Sequence, residues 1–169
     1  MLQSYEYQLK TAGFEVTREI QPGLPHAHVD REAMAQAILN LLNNAIKYSA
    51  EVKRIEVRVY QRDQNLAIDI VDYCIGIPRS EQRRIFEKFY RVGTGMVHNT
   101  KGSGLGLAIV RHIVESHRGE ILVDSAPGEG SKFTILLPVI KVESAVAADP
   151  ISSEAAGPGA YSIAENPHH

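Results

Sequence analysis

Residues 101–110 read KGSGLGLAIV. Glycines alternate at Gly102, Gly104 and Gly106, and an apolar helical pattern starts directly behind them. Each glycine adds unfolded-state entropy that folding must overcome, so the placement implies a need for bare backbone. A helix N-terminus offers unpaired N–H groups and the positive end of the helix dipole. A glycine-rich approach lets a phosphate come close to those donors. The competing reading is a flexible surface loop ahead of a core helix. Neither of two better-known phosphate loops is present: the spacing is not G-x-G-x-x-G, and no G-x-x-x-x-G-K-[ST] occurs.

The rest of the chain bounds the possibilities. Its 169 residues suffice for one domain with a real core. Apolar residues make up 44% and charged residues 22%, as in an ordinary globular protein. A net charge of -2 gives no reason to expect nucleic acid. The single cysteine, Cys74, excludes an internal disulfide and fits a reducing, cytoplasmic setting. Apolar runs such as FTILLPVI (133–140) are too short to span a bilayer, and no secretory signal opens the chain.

Periodicity supplies the elements. FEVTREI (14–20) alternates as a strand. Asp30 is a good N-cap for a helix running to about Ser49, with Glu32 in its first turn and an apolar stripe from Met34 to Ile46. RIEVRVY (54–60) and NLAIDIV (65–71) alternate strictly and predict an antiparallel hairpin. SEQRRIFEKF (80–89) reads as a short helix capped by Ser80, with Phe86 and Phe89 as core residues. Residues 90–103 have no period and read as a mobile loop. Residues 105–117 form a helix closed by Gly119, followed by strands at 120–124 and 131–139. This order predicts an α+β fold: a two-layer α/β sandwich with a mixed, mostly antiparallel sheet and helices on one face. Residues 1–13 read as the end of a linker or preceding helix, 14–142 as the domain, and 143–169 as a disordered tail. The terminal His168-His169 pair reads as a tag remnant.

Within NLLNNAIKYS (40–49), Asn40, Asn44 and Lys47 share one stripe away from the apolar face. A solvated face is the plain reading. Such faces favour Glu, Lys or Arg, however, which are better helix formers than Asn. The alternative is a polar wall whose amide oxygens hold a hard cation such as Mg²⁺ and whose lysine meets phosphate. In VDYCIGIP (71–78), Asp72 ends an apolar strand; it either starts the turn or accepts from a ligand amino group. In RIFEKFYRV (84–92), Phe86, Phe89 and Tyr90 precede the mobile loop, where aromatics can anchor a lid or fill the core.

Together and in this order, these segments resemble the ATP-binding catalytic domain of sensor histidine kinases. That domain's Bergerat-type nucleotide fold is shared with type II topoisomerases, Hsp90-like chaperones and MutL-like repair proteins. NLLNNAIKYS resembles the N box, DYCIGI the first glycine box, RIFEKFYR the F box and KGSGLGLAIV the second glycine box; the likeness covers residues 14–140. It implies ATP and Mg²⁺ as cofactors. Asn44 would bind Mg²⁺ and Asn40 would line the same wall. Lys47 would approach a phosphate oxygen, Tyr48 would pack on adenine, and Asp72 would accept from the adenine amino group, helped by Gly76 beside Ile77. Gly102, Ser103, Gly104, Leu105 and Gly106 would lead the triphosphate to the helix N-terminus. Residues 91–103 would be a lid, with Arg91 or Lys101 near the γ-phosphate.

The resemblance also divides the labour. ATP-hydrolysing members carry a glutamate as general base four residues before the magnesium asparagine; here Asn40 stands there, and an amide cannot take a proton at neutral pH. None of the seven histidines lies in the H-[ED]-x-x-x-P context of a phosphoacceptor. His26, His28, His112 and His117 are expected to be structural or surface residues. The implied activity is histidine protein kinase, working on a dimerisation/phosphoacceptor domain elsewhere in the parent protein, with a response regulator downstream. No nucleic acid and no membrane contact by this segment are implied, whether or not the parent is anchored in the inner membrane. One departure stands out. The family pattern D-x-G-x-G reads Asp72-Tyr73-Cys74-Ile75-Gly76, so Cys74 replaces a glycine. If that backbone needs positive φ, a Cβ strains it by roughly 1–2 kcal/mol, and the alternative is a degenerate nucleotide-binding module that acts by conformation without phosphotransfer.

Overall fold

The computed structural model describes residues 2–49, 51–92 and 103–140. The readings for the tail after 140 and for most of the lid lie outside them. In chain order the elements are α1 (Leu2–Thr11), β1 (Glu15–Ile20), α2 (Arg31–Lys47), β2 (Arg54–Arg62), β3 (Asn65–Asp72), a 3₁₀ turn (Arg84–Phe86), α3 (Gly106–Ser116), β4 (Glu120–Ala126) and β5 (Gly130–Pro138). The sheet order is β1-β2-β3-β5-β4. Only the β1–β2 pair is parallel.

Register decides which face is apolar. Val57 pairs with Ile70, Val59 with Ile68, Ile70 with Phe133 and Ile68 with Ile135. These side chains share one face, since residues two apart point the same way. Leu41, Ala37 and Ala45 of α2 and Val110 and Val114 of α3 complete the core against them, nearly all without solvent contact. Leu9 of α1 joins the same core, and the Tyr5 hydroxyl donates to Asn43 Oδ1 at 2.6 Å. The opposite face is polar and internally paired. Thr134 Oγ1 donates to Asp69 Oδ1 at 2.6 Å, and Glu56 is held by Tyr73, Arg54 and Arg58.

Local chemistry sets most boundaries. Asp30 caps α2, its carboxylate accepting from the amides of Glu32 and Ala33. Asp63 and Gln64 alone link β2 to β3, with Asp63 at φ 55, a conformation Asp tolerates in tight turns.

Three expectations are corrected. The segment 80–89 is not an α-helix capped by Ser80; beyond turns it holds only the 3₁₀ stretch Arg84–Phe86, whose cap residue is Arg83. The Gln82 amide reaches out to the carbonyls of Ile77 and Ser125, and the chain turns extended at Glu87, so tertiary bonds override helix propensity. Phe89 is not core: it is 71% exposed, with φ 65. Phe86 does pack inward, edge-on to Phe133 at 6.5 Å. The third concerns the end of α3. Arg118, not Gly119, takes the left-handed conformation, at φ 57. The amides of Gly119 and Arg118 close on the carbonyls of Val114 and Glu115 in a Schellman arrangement. Gly119 is needed for another reason: a Cβ there would stand 2.4 Å from the Leu136 carbonyl oxygen.

Candidate functional site

The end of α2, the end of β3 and the start of α3 converge at one edge of the sandwich. Asp72 lies on the apolar face of β3, at its last position, and is 5% exposed. The loop behind it is stitched to α2. Ile75 donates its amide to the Tyr48 carbonyl at 3.3 Å, and Ser49 bridges Cys74. Gly76 has φ +73, and a Cβ there would lie 1.9 Å from the Ala126 carbonyl oxygen, so only glycine fits.

Two adjoining cavities result. The first, ≈ 100 Å³, is lined by Asn44, Tyr48, Asp72, Cys74, Ile75, Gly76, Ile77, Ile85, Tyr90, Arg91, Val92, Leu107, Ser131 and Phe133. The second, ≈ 230 Å³, is lined by Asn44, Lys47, Tyr48, Ile85, Tyr90, Arg91, Ser103, Gly104, Gly106 and Leu107. Asn44, Tyr48 and Arg91 face both. The first is apolar with a buried carboxylate at its wall. The second mixes polar and apolar walls and opens on the N-terminus of α3.

Among the described residues no side chain caps that N-terminus. Its cap residue, Leu105, has no side chain able to bond the first amides, and the first turn carries no acidic residue. A helix end left this way suits an anion. Gly104 is also sterically required: at φ +71, its Cβ would sit 2.9 Å from the Phe89 backbone, whose amide donates to the Gly104 carbonyl.

The electrostatics centre on Asp72. Burial pushes its carboxyl above the usual carboxylate range, against bonds from Cys74 and Ser131 that favour the charge. Cys74 is 7% exposed, and burial first, then the neighbouring Asp72 charge, push its thiol up to about 11. Its amide donates to Asp72 Oδ1 at 3.1 Å. Behind them Ser125 Oγ accepts from the Ile77 amide at 2.8 Å, donates to the Gly130 carbonyl at 2.6 Å and lies 3.0 Å from Ser131 Oγ. At the entrance the Tyr90 hydroxyl donates to Glu81, with the Arg84 guanidinium 4.1 Å from its ring centroid. Lys47 Nζ stands 4.9 Å from the Tyr48 ring centroid.

The residues expected from sequence therefore divide. Asn44, Lys47, Tyr48, Asp72, Gly76, Ile77, Arg91, Ser103, Gly104 and Gly106 line one cavity or both. Asn40 lines neither, although its Oδ1 lies 3.6 Å from where a Gly106 Cβ would be. Leu105 caps α3 rather than facing a cavity. Lys101 and Gly102 lie outside the described residues. Sequence reasoning missed Ser125, Ser131, Ile85, Leu107 and Phe133. For Ser131 the signal lay in strand register, which sets it opposite Asp72. The strain argument at Cys74 fails. Among the described residues, the non-glycine positions at positive φ are Asp63, Phe89 and Arg118, so this backbone accepts a side chain without penalty.

Comparison with known proteins follows the same residues. A family model described as histidine kinase-, DNA gyrase B-, and HSP90-like ATPase matches residues 29–141. The chain belongs to that family. Among family relatives, sensor protein RprX of Bacteroides fragilis is 34% identical over 143 residues, covering 83% of this chain but 28% of that protein. The chain thus spans well under two thirds of that curated relative. The solved mycobacterial sensor histidine kinase MprB matches with TM-score 0.66 and 33% identity, over 81% of this chain and 90% of that one. Full-length ShkA, solved with AMPPNP, matches with TM-score 0.69 and 25% identity, over 81% of this chain and 28% of that one. The fold is that of histidine kinase catalytic domains, and the ATP-binding region of the family is the part this chain contains.

The residues present fit a magnesium nucleotide. They include a buried carboxylate at one cavity's wall, a helix start without a side-chain cap at the other, and the Asn44 amide facing both. Among the described residues no group of three or more His, Cys, Asp or Glu could hold a metal by itself; a cation here would need amide and ligand oxygens. Nor is any described helix long and apolar enough to cross a membrane.

Proposed function

We propose that this domain binds Mg-ATP and presents its γ-phosphoryl group to a histidine on the dimerisation/phosphoacceptor domain of the parent protein, in a two-component system. The observation that carries the reading is the pair of joined cavities, with a buried carboxylate at one end, an uncapped helix N-terminus at the other and Asn44 facing both. When bound, Mg-ATP supplies a transferable phosphoryl group whose charge the metal offsets. Asp72 accepts from the adenine amino group, and the Tyr48 ring packs on the base. Asn44 holds the cation by its amide oxygen. Lys47 and Arg91 balance phosphate charge, and the amides at the start of α3, reached past Ser103, Gly104 and Gly106, orient the triphosphate.

Nothing in residues 40–49 activates water, because an amide occupies position 40. The attacking group is a neutral imidazole, already nucleophilic, brought by the other domain. The setting is cytoplasmic, and the phosphorylated histidine passes its group to a response regulator. Two measurements test this. Mg-ATP at about 100 times its dissociation constant raises the stability of the chain by about 2.7 kcal/mol. Joined to the parent's acceptor helices, the domain labels one histidine from γ-labelled ATP, and Asn44→Ala abolishes the label. Absence of any Mg-ATP effect on unfolding, or rapid ATP hydrolysis by the isolated chain, overturns the proposal.

A further inference from the structure

The wall residue Cys74 has no part in that scheme. We infer that Cys74 sets the size limit at the closed end of the cavity: it admits a 6-aminopurine whose amino nitrogen carries only hydrogen and refuses one whose amino nitrogen is alkylated. This rests on the nucleotide reading and adds a specificity residue to it.

The argument is steric. Cys74 stands two residues beyond Asp72 in the same wall, with its amide bonded to Asp72 Oδ1 at 3.1 Å. Whatever donates to the Asp72 carboxylate therefore lies beside the Cys74 side chain. That side chain is pinned. Sγ lies 3.3 Å from Ser131 Oγ and accepts from the Gly76 amide at 3.4 Å. Ser131 in turn contacts Ser125, which is tied to Ile77 and Gly130. Swinging Sγ aside would break both of its contacts and take from the part-buried Gly76 amide its bond to Sγ. Close-packed surroundings make such a group a hard limit rather than a soft one. The cavity measures only ≈ 100 Å³, so the two atoms a cysteine carries beyond glycine are a substantial share of its closed end. The backbone does not need glycine at 74, so the side chain is tolerated without strain.

The test compares Mg-ATP with the magnesium complex of N6-benzyl-ATP, by calorimetry, on the present chain and on Cys74→Gly and Cys74→Ala. Circular dichroism verifies that each variant is folded. Wild type should bind Mg-ATP at least about tenfold more tightly than the benzyl analogue, the scale of discrimination a pocket reaches for excess hydrocarbon. Cys74→Gly should shrink that ratio about tenfold, and Cys74→Ala should fall between; the alanine variant carries the test if the glycine variant does not fold. An unchanged ratio, with Mg-ATP binding retained, overturns the size limit and leaves the nucleotide reading standing. Failure of wild type to bind Mg-ATP overturns both.

Discussion

Gly76 and Ala126 approach so closely that a Cβ on Gly76 would stand 1.9 Å from the Ala126 carbonyl oxygen. The contact joins the loop after β3 to the end of β4; the blocking atoms are backbone and cannot yield by a rotamer change. Gly76→Ala should therefore lose the positive-φ allowance and force the loop away from β4. The expected cost is about 3 kcal/mol or more, well above the 1–2 kcal/mol of left-handed strain alone. Gly128→Ala is the control: its φ is +80, but no atom lies within 4 Å of the added Cβ, so it should cost only about 1–2 kcal/mol. Urea midpoints at constant m measure both. Equal losses would show that strain, not the contact, dominates.

The sequence made some of this legible and not the rest, and the division follows the range of the interactions. Strict alternation at 54–60 and 65–71 exposes which face each strand buries, and Asp30 signals the start of α2 by a bond to amides two and three residues away. The failures all depend on distant partners. Gly119 closes α3 through its amide, but what requires glycine there is the Leu136 carbonyl on β5. The segment 80–89 has helical composition, but Gln82 is held by carbonyls of Ile77 and Ser125. In the site, the glycine-box loop announced Asp72 and Gly76 because both stand in one short motif. Ser125 and Ser131 reach the same wall only through the β4–β5 hairpin.

The Cys74 thiol, pushed up to about 11 from an ordinary 9.0, should be chemically quiet. Two units mean about 100-fold less thiolate at pH 8, and the thiolate is the reactive form. As the only cysteine in the chain, it gives an unambiguous readout. Alkylation by iodoacetamide should be at least about tenfold slower in the folded chain than in urea, because the smaller thiolate fraction outweighs the greater nucleophilicity of a higher-pKa thiolate. The linkage sign follows from the raised value: the neutral thiol's contribution to stability is complete below pH 9 and lost as pH rises through about 11. Rapid labelling of the folded chain at pH 8 contradicts the buried, neutral assignment.

Asp72→Asn should separate stability from recognition. Burial holds the Asp72 carboxyl above its ordinary range, so ionising it at neutral pH works against the fold. The amide removes that charge but gives up part of the acceptor capacity used by Cys74 and Ser131. A bond to a charged acceptor and the desolvation relieved are of similar size, so the net change at pH 7 should stay within about 1 kcal/mol. Because the raised carboxyl gains a proton as pH falls, the electrostatic difference between variant and wild type should narrow in acid. Preference for ATP over GTP should disappear at the same time, since an amide donor then faces an amino donor. Calorimetry with both nucleotides checks this; an undiminished ATP preference removes Asp72 from base recognition.

Asp30 serves two bonds with different atoms, and this yields the last prediction. Its carboxylate caps α2 through the amides of Glu32 and Ala33, while its own amide donates to His117 Nε2 at 2.9 Å. With Nε2 accepting, the ring proton sits on Nδ1, which faces the Ile113 carbonyl at 2.7 Å. His117 thus ties the last turn of α3 to the first turn of α2, far from the cavities. Asp30→Ala removes the cap but keeps the backbone amide, and should cost about 1 kcal/mol. His117→Ala removes the latch. Both ends lie near solvent, so water replaces part of the bond and the cost should also be about 1 kcal/mol. Because the two changes delete separate bonds, the double variant should lose their sum to within about 0.5 kcal/mol. Urea unfolding of the four proteins measures it. Strong coupling would mean that the cap and the latch are one structure, and that removing the carboxylate also displaces the amide His117 holds.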